Sequence, residues 1–191
     1  SRGRRPAIWG DANGPDSRAG PPAKRQVLPK NRQPHVILIG ASTGGPQAVG
    51  EFLAAAPAIV RHVPVVIAQH MPGLFTTVFA EHLVRTTGFV CREARHGERL
   101  RAGQVYIAPG GHHTLFTGRG ADARIVLNED APVRFSRPSI DMMMETGAAT
   151  FGARVWCVLL TGMGQDGLLG AQAIIQAGGR VYAQSEISSV V

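Results

Sequence analysis

A chain of 191 residues, 44% of them apolar and with a formal net charge of +7, has material for one globular domain and an extension. The charge is uneven: residues 1–34 hold eight Lys/Arg against two Asp/Glu, so the other 157 residues net only +1. The basicity therefore belongs to a solvated tail without the aromatic interleaving of a nucleic-acid binder; two cysteines are too few for a disulfide framework, and no apolar run reaches the length of a membrane span.

Residues 1–34, rich in Pro, Gly and Arg and without apolar periodicity, read as a disordered basic linker. A start at Ser1 rather than Met predicts an upstream domain that the chain lacks. Nothing resembles a signal peptide, so the expected compartment is the cytoplasm. The first strand is Val36-Ile37-Leu38-Ile39, which runs into Gly40-Ala41-Ser42-Thr43-Gly44-Gly45, and a helix opens at Pro46 and extends to about Ala56. Residues 63–68 form a second buried strand ending in Gln69-His70, and Phe75, Val78, Phe79 and Leu83 recur at helical spacing after Pro72. Residues 104–108 read as a strand, and the segments 115–117 and 125–127 as a hairpin. Ser139 caps a helix reaching about Ala149, with Asp141 in its first turn and Met142-Met143-Met144 as core or partner groove. A long apolar strand follows at residues 155–160, then a helix at about residues 168–177 and a last strand at 181–183. Continuously apolar strands joined by helices predict an α/β fold: a doubly wound, mostly parallel sheet with helices on both faces and an antiparallel hairpin, a Rossmann-like three-layer sandwich.

G-x-S-x-G between a strand and a helix turns the backbone sharply and projects the Ser42 hydroxyl beyond the carboxyl end of the sheet, where ligands of such folds bind. The alternative is that the glycines serve the tight turn alone. A hydroxyl needs a base, and His70, ending the second buried strand, is the best placed of seven histidines. His35 lies at the wrong end of a strand, His62 and His82 read as structural or exposed, and His96, His112 and His113 fall in loops. Asp166, in the Gly-rich loop after the long strand, can orient the imidazole; its plainer reading is a cap for the helix at Leu168.

Other site classes fit poorly. A dinucleotide-binding module wants an acid where Ala68-Gln69-His70 stands, and residues 35–191 contain no lysine for a phosphate-binding loop. An α/β-hydrolase places its histidine last, yet no histidine follows His113. No His/Cys set has structural-zinc spacing, so no metal and no cofactor is expected. Buried Cys157 reads as a small hydrophobe.

The ordered motifs Ile39-Gly40-Ala41-Ser42-Thr43-Gly44-Gly45, Gln69-His70-Met71-Pro72, Gly97-Glu98-Arg99, Tyr106-Ile107-Ala108-Pro109-Gly110, Arg137-Pro138-Ser139-Ile140-Asp141 and Leu160-Thr161-Gly162-Met163-Gly164-Gln165-Asp166-Gly167 resemble the catalytic domain of bacterial chemotaxis protein-glutamate methylesterases over residues 35–191. The resemblance implies Ser42 as nucleophile, His70 as base and Asp166 as third member of the triad. It implies hydrolysis of γ-glutamyl methyl esters on the cytoplasmic helices of chemoreceptors, deamidation of receptor glutamines, and a receiver domain upstream of the linker. Met163, by the same resemblance, and Thr43, by the turn geometry, are the candidate backbone donors to the oxyanion. Arg95, Arg99 and Arg137 are candidates for orienting an acidic receptor helix. Relatives continue past Ser188-Ser189-Val190-Val191 through a further helix, so the domain reads as C-terminally truncated, and Ser185-Glu186-Ile187 is an unusual version of the family's acidic stretch. The competing readings are an esterase or amidase of this fold with another substrate, and a non-catalytic adaptor.

Overall fold

A computed structural model describes residues 33–191, so the linker expected at residues 1–34 lies almost wholly outside the described residues. The strands are β1 (Val36–Ala41), β2 (Val65–Gln69), β3 (Val90–Glu93), β4 (Gln104–Ile107), β5 (His113–Thr117), β6 (Arg124–Asn128), β7 (Val155–Leu159) and β8 (Arg180–Ala183). The helices are α1 (Gly45–Ala55), α2 (Pro57–Val60), α3 (Gly73–Thr87), α4 (Ile140–Phe151) and α5 (Leu168–Gln176). Six strands form one parallel sheet in the order β3-β4-β2-β1-β7-β8, and β5 and β6 pair separately as an antiparallel hairpin.

Every residue of β1 and β2 is buried, as their unbroken apolar runs require. Alternation along β1 sends Val36 and Leu38 to a core shared with Tyr106, Ile125, Met143 and Met144, and Ile37 and Ile39 to one shared with Val49, Leu53, Phe79 and Leu83. α4 and α5 cover the first face, while α1 and α3 cover the second. Met143 and Met144 are fully buried, so the methionine run is core rather than groove. Cys157 lies against Met144, its Sγ 3.4 Å from the thioether, and burial pushes its thiol up to about 12.

Three elements depart from the sequence expectation, the first being α2, a short helix just after the one expected to end at about Ala56. β3 was not anticipated: an edge strand whose register pairs Arg92 with Tyr106 needs apolar contact on one side only, and Val90 is itself exposed. The second strand begins at Val65 rather than residue 63, because Pro64 has no N–H for the ladder; its carbonyl accepts from Ile37 N at 3.0 Å.

The chain leaves β1 for β2 on one side and receives β7 on the other. The carboxyl ends of these three neighbours form the crevice at which an open α/β sheet places its ligand.

Candidate active site

Ser42 stands one residue beyond β1, half-buried. Its N–H donates to Thr161 O at 3.0 Å, tying the turn to the segment after β7, and its carbonyl accepts from Gly45 N at 2.8 Å. Gly44 takes φ 78, a left-handed conformation that lets α1 begin immediately, with Pro46 in its first turn. A Cβ on Gly162 would lie 2.7 Å from that of Ser42, so only glycine permits the post-β7 loop to pass Ser42 this closely.

His70 follows β2, and its N–H donates to Ala41 O at 3.0 Å, which fixes its backbone beside the serine. Gln69, 2% exposed, turns its Nε2 under both residues and donates to Ser42 O at 2.9 Å and His70 O at 3.2 Å. The imidazole spans serine and carboxylate: Nδ1 lies 3.2 Å from Ser42 Oγ and Nε2 lies 2.7 Å from Asp166 Oδ2. An ionised carboxylate only accepts, so Nε2 carries the proton and Nδ1 offers its lone pair to the serine hydroxyl. The ring is used the other way round from chymotrypsin-like proteases, where Nε2 faces the serine.

Asp166 is held from four directions. Besides His70, it accepts from Ile140 N at 2.7 Å, Ser139 Oγ at 2.9 Å and Asp141 N at 2.9 Å. Two of these donors are free amides at the start of α4, where a negative charge is favoured, and the third is the hydroxyl of its N-cap. Burial alone would raise the Asp166 carboxyl, but the hydrogen bonds from His70, Asp141, Ile140 and Ser139 prevail and hold it below its ordinary value. The sequence allowed Asp166 to cap the helix at Leu168; instead it caps α4. Ser139 performs its expected task as well, its Oγ accepting from Met142 N at 3.3 Å.

Ser42, His70 and Asp166 thus share one cavity of about 210 Å³, with Met163, Ile140 and Leu168 also on its walls. A cavity this small suits a side chain or acyl group rather than an extended cofactor. Of the two oxyanion candidates, Met163 lines the cavity, whereas Thr43 follows Ser42 in the turn with its side chain exposed. Among the described residues, neither Thr43 nor Met163 donates its backbone N–H to any acceptor.

Of the six remaining histidines, His62 and His82 are exposed and the other four are engaged elsewhere. His35 Nε2 lies 2.8 Å from Arg154 Nη1, His112 pairs with Glu129 at 3.0 Å, and His96 Nδ1 is 3.2 Å from Leu127 N. His113, fully buried, accepts from Ser139 N at 3.1 Å and donates to Ala131 O at 3.2 Å, a structural role. Among the described residues no three His, Cys, Asp or Glu side chains are grouped to hold a metal ion. Arg137 spends its guanidinium on Glu129 O at 2.7 Å and Asp130 O at 3.1 Å, bracing its own loop. Arg95 and Arg99 lie at a different concavity, with Arg92, Arg101 and Arg124.

Roles that the sequence did not single out include Gln69 as a brace, Gly162 as a spacer and Arg134, whose Nη1 donates to Gln165 O at 3.2 Å beside Asp166. A buried glutamine at a strand end adjoining a histidine is a signal that sequence alone offers for Gln69; nothing local points to Arg134.

Comparison with known proteins finds relatives over most of the chain. A family profile described as CheB methylesterase matches residues 37–191. The chain is 46% identical over 172 residues to protein-glutamate methylesterase/protein-glutamine glutaminase 1 of Paramagnetospirillum magneticum, an alignment covering 90% of this chain and 45% of that protein. It is 49% identical over 160 residues to the protein of the same description from Azospirillum brasilense, covering 83% of this chain and 40% of that one. The crystal structure of the Thermotoga maritima CheB methylesterase catalytic domain superposes with a TM-score of 0.78 at 33% identity, covering 83% of this chain and 84% of that one. The chain therefore spans less than half the length of the curated relatives it matches.

Proposed function

This chain belongs to the CheB methylesterase family, and from that membership we propose that it is a serine hydrolase removing methyl groups from γ-glutamyl methyl esters of chemoreceptors. The observation that carries the reading is the continuous path Ser42 Oγ to His70 Nδ1 at 3.2 Å and His70 Nε2 to Asp166 Oδ2 at 2.7 Å, opening on a cavity of side-chain size.

In this mechanism Ser42 Oγ attacks the ester carbonyl while its proton passes to His70 Nδ1. The imidazolium is steadied by Asp166, which remains ionised because α4 and His70 favour its charge. The tetrahedral oxyanion takes backbone N–H groups, with Met163 and Thr43 as donors; losing one such donor typically costs roughly 10²–10³ in rate. His70 then protonates the departing methoxide, methanol leaves, and an acyl-serine remains. Water, losing its proton to Nδ1, attacks the acyl group and releases the glutamate carboxylate and free Ser42. Glutamine deamidation follows the same course with ammonia as the leaving group, in keeping with the glutaminase description of its relatives.

The substrate segment is, on this reading, a cytoplasmic helix of a chemoreceptor, with an upstream receiver domain regulating access in the whole protein. A cytoplasmic location goes with it; among the described residues no helix is long and apolar enough to cross a membrane.

Methanol release from methylated receptor membranes, by this chain and by Ser42→Ala, tests the proposal. Release by the parent and none above background by the variant is expected. Release by neither, with the parent folded, favours the adaptor; equal release by both removes Ser42 as nucleophile.

A further inference from the structure

The loop before α4 contains a turn whose residues are at odds with its backbone. Val133 and Ser136 exchange both backbone hydrogen bonds, at 3.1 and 2.9 Å, and enclose only Arg134 and Phe135. Both take positive φ, 49° and 64°, the pattern of a type I′ turn, for which Asn-Gly is the unstrained pair. Among the described residues these are the two that hold a left-handed φ without being glycine. Packing does not compensate at Phe135, whose side chain is fully exposed.

Arg134 has a different fate. Its Nη1 donates to Gln165 O at 3.2 Å and to Gln165 Oε1 at 3.3 Å, gripping the residue that precedes the catalytic acid. Its Nε lies 3.8 Å from Asp141 Oδ2, a buried carboxylate oxygen with no hydrogen-bond partner among the described residues. One guanidinium thus meets both the loop that carries Asp166 and the charge that anchors this loop to α4.

That loop needs holding. Gly164 sits at φ 103 with open space where a Cβ would be, so neither backbone stiffness nor packing confines its middle. Its ends are pinned, by Ser42 N on Thr161 O and by Gly167 N on Asp141 Oδ1 at 2.9 Å. Between them, Arg134 grips Gln165.

We propose that Arg134 is a positioning residue for the triad: the strained turn is retained because it delivers a guanidinium to Gln165 and Asp141, which fixes Asp166 against His70. The inference rests on the reading of Asp166 as the triad's acid. Strained backbone kept at a functional site, where a strain-free alternative exists, is the physical signature of such a role.

The test uses the 191-residue chain and two strain-relieving variants, Arg134→Asn and Phe135→Gly, with Arg134→Lys as the conservative replacement. Phe135→Gly should melt at or above the parent temperature, and Arg134→Asn, which also loses the contacts to Gln165 and Asp141, is compared at a temperature where it is fully folded. With a soluble peptide bearing a glutamate γ-methyl ester, Phe135→Gly should keep the parent kcat. Arg134→Asn should lose about tenfold in kcat with KM unchanged, less than the roughly 10²-fold that a full 1 Å misplacement can cost, and Arg134→Lys should fall between. Independently of turnover, the NMR resonance of the His70 Nε2 proton should broaden, and exchange of the Ile140 amide proton should quicken, in Arg134→Asn but not in Phe135→Gly. Parent-like kcat and resonance in Arg134→Asn would overturn the proposal, as would equal losses in both variants, which would assign the effect to the turn's backbone. If the parent itself releases no methanol, the methylesterase reading fails, while the resonance and exchange comparison still decides the role of Arg134.

Discussion

Asp141 and Asp166 cap one another's helices. Asp166 accepts from the amides of Ile140 and Asp141 where α4 begins, and Asp141 Oδ1 accepts from Gly167 N at 2.9 Å and Gly170 N at 2.8 Å where α5 begins. Two helix N-termini therefore converge on a pair of carboxylates, one facing His70 and the other buried behind it. The positive ends of both helices offset the mutual repulsion of the two acids.

Removing the rear carboxylate should damage stability and chemistry together. Asp141→Ala leaves the amides of Gly167 and Gly170 without their acceptor, at about 1–3 kcal/mol for each buried group left unpaired. Urea unfolding should show that loss, with a fall in kcat measured where the variant is fully folded. Asp141→Asn, which retains an oxygen acceptor, should lose less on both counts. An Asp141→Ala chain as stable as the parent would contradict the reciprocal capping.

The acid side of the stability profile should report Asp166. Its carboxyl titrates below the ordinary 3.8 in the folded chain and returns to that value on unfolding. The stabilisation from its ionised form is thus complete above about 3.8 and disappears as pH falls through the lower folded value. Unfolding free energies measured at a series of pH values across this window should fall for the parent and fall less steeply for Asp166→Asn. Identical slopes would mean that the carboxylate is not favoured by the fold.

Gly162 should tolerate no side chain. In Gly162→Ala the new Cβ would stand 2.7 Å from Ser42 Cβ, so the loop or the nucleophile must shift. A displacement of about 1 Å near the chemistry typically costs about 10² in rate, and kcat should fall by that order while thermal unfolding changes little. Parent-like kcat in this variant would show that the serine has freedom the geometry denies it.

Much of this site could be read before the fold was seen, for a physical reason. Ser42 and His70 stand immediately beyond the buried strands β1 and β2, Asp166 lies in the loop after β7, and parallel strands bring such loops to one edge. β3 escaped because Arg92 and Glu93 lack an apolar period; the edge of a sheet does not demand one. The partners of Asp166 escaped for another reason: a helix start signals that its amides need an acceptor, but not which distant residue supplies it. Hence Ser139 was legible as a cap, whereas for Asp166, read as the acid that orients His70, the sequence offered only the helix at Leu168 as one it could cap, and not α4. Arg134 was hidden by its turn, since Arg-Phe carries none of the composition that marks a tight reversal.

The order β2-β1-β7 at the centre of the sheet has a consequence for synthesis. The alcohol and the imidazole are both present by residue 70 of this sequence, yet the carboxylate comes 96 residues after the imidazole, beyond β7. A nascent chain not yet extended past β7 thus holds the serine and the imidazole without their acid, and the hydrogen-bonded path from Ser42 to Asp166 can close only once the last central strand has been made.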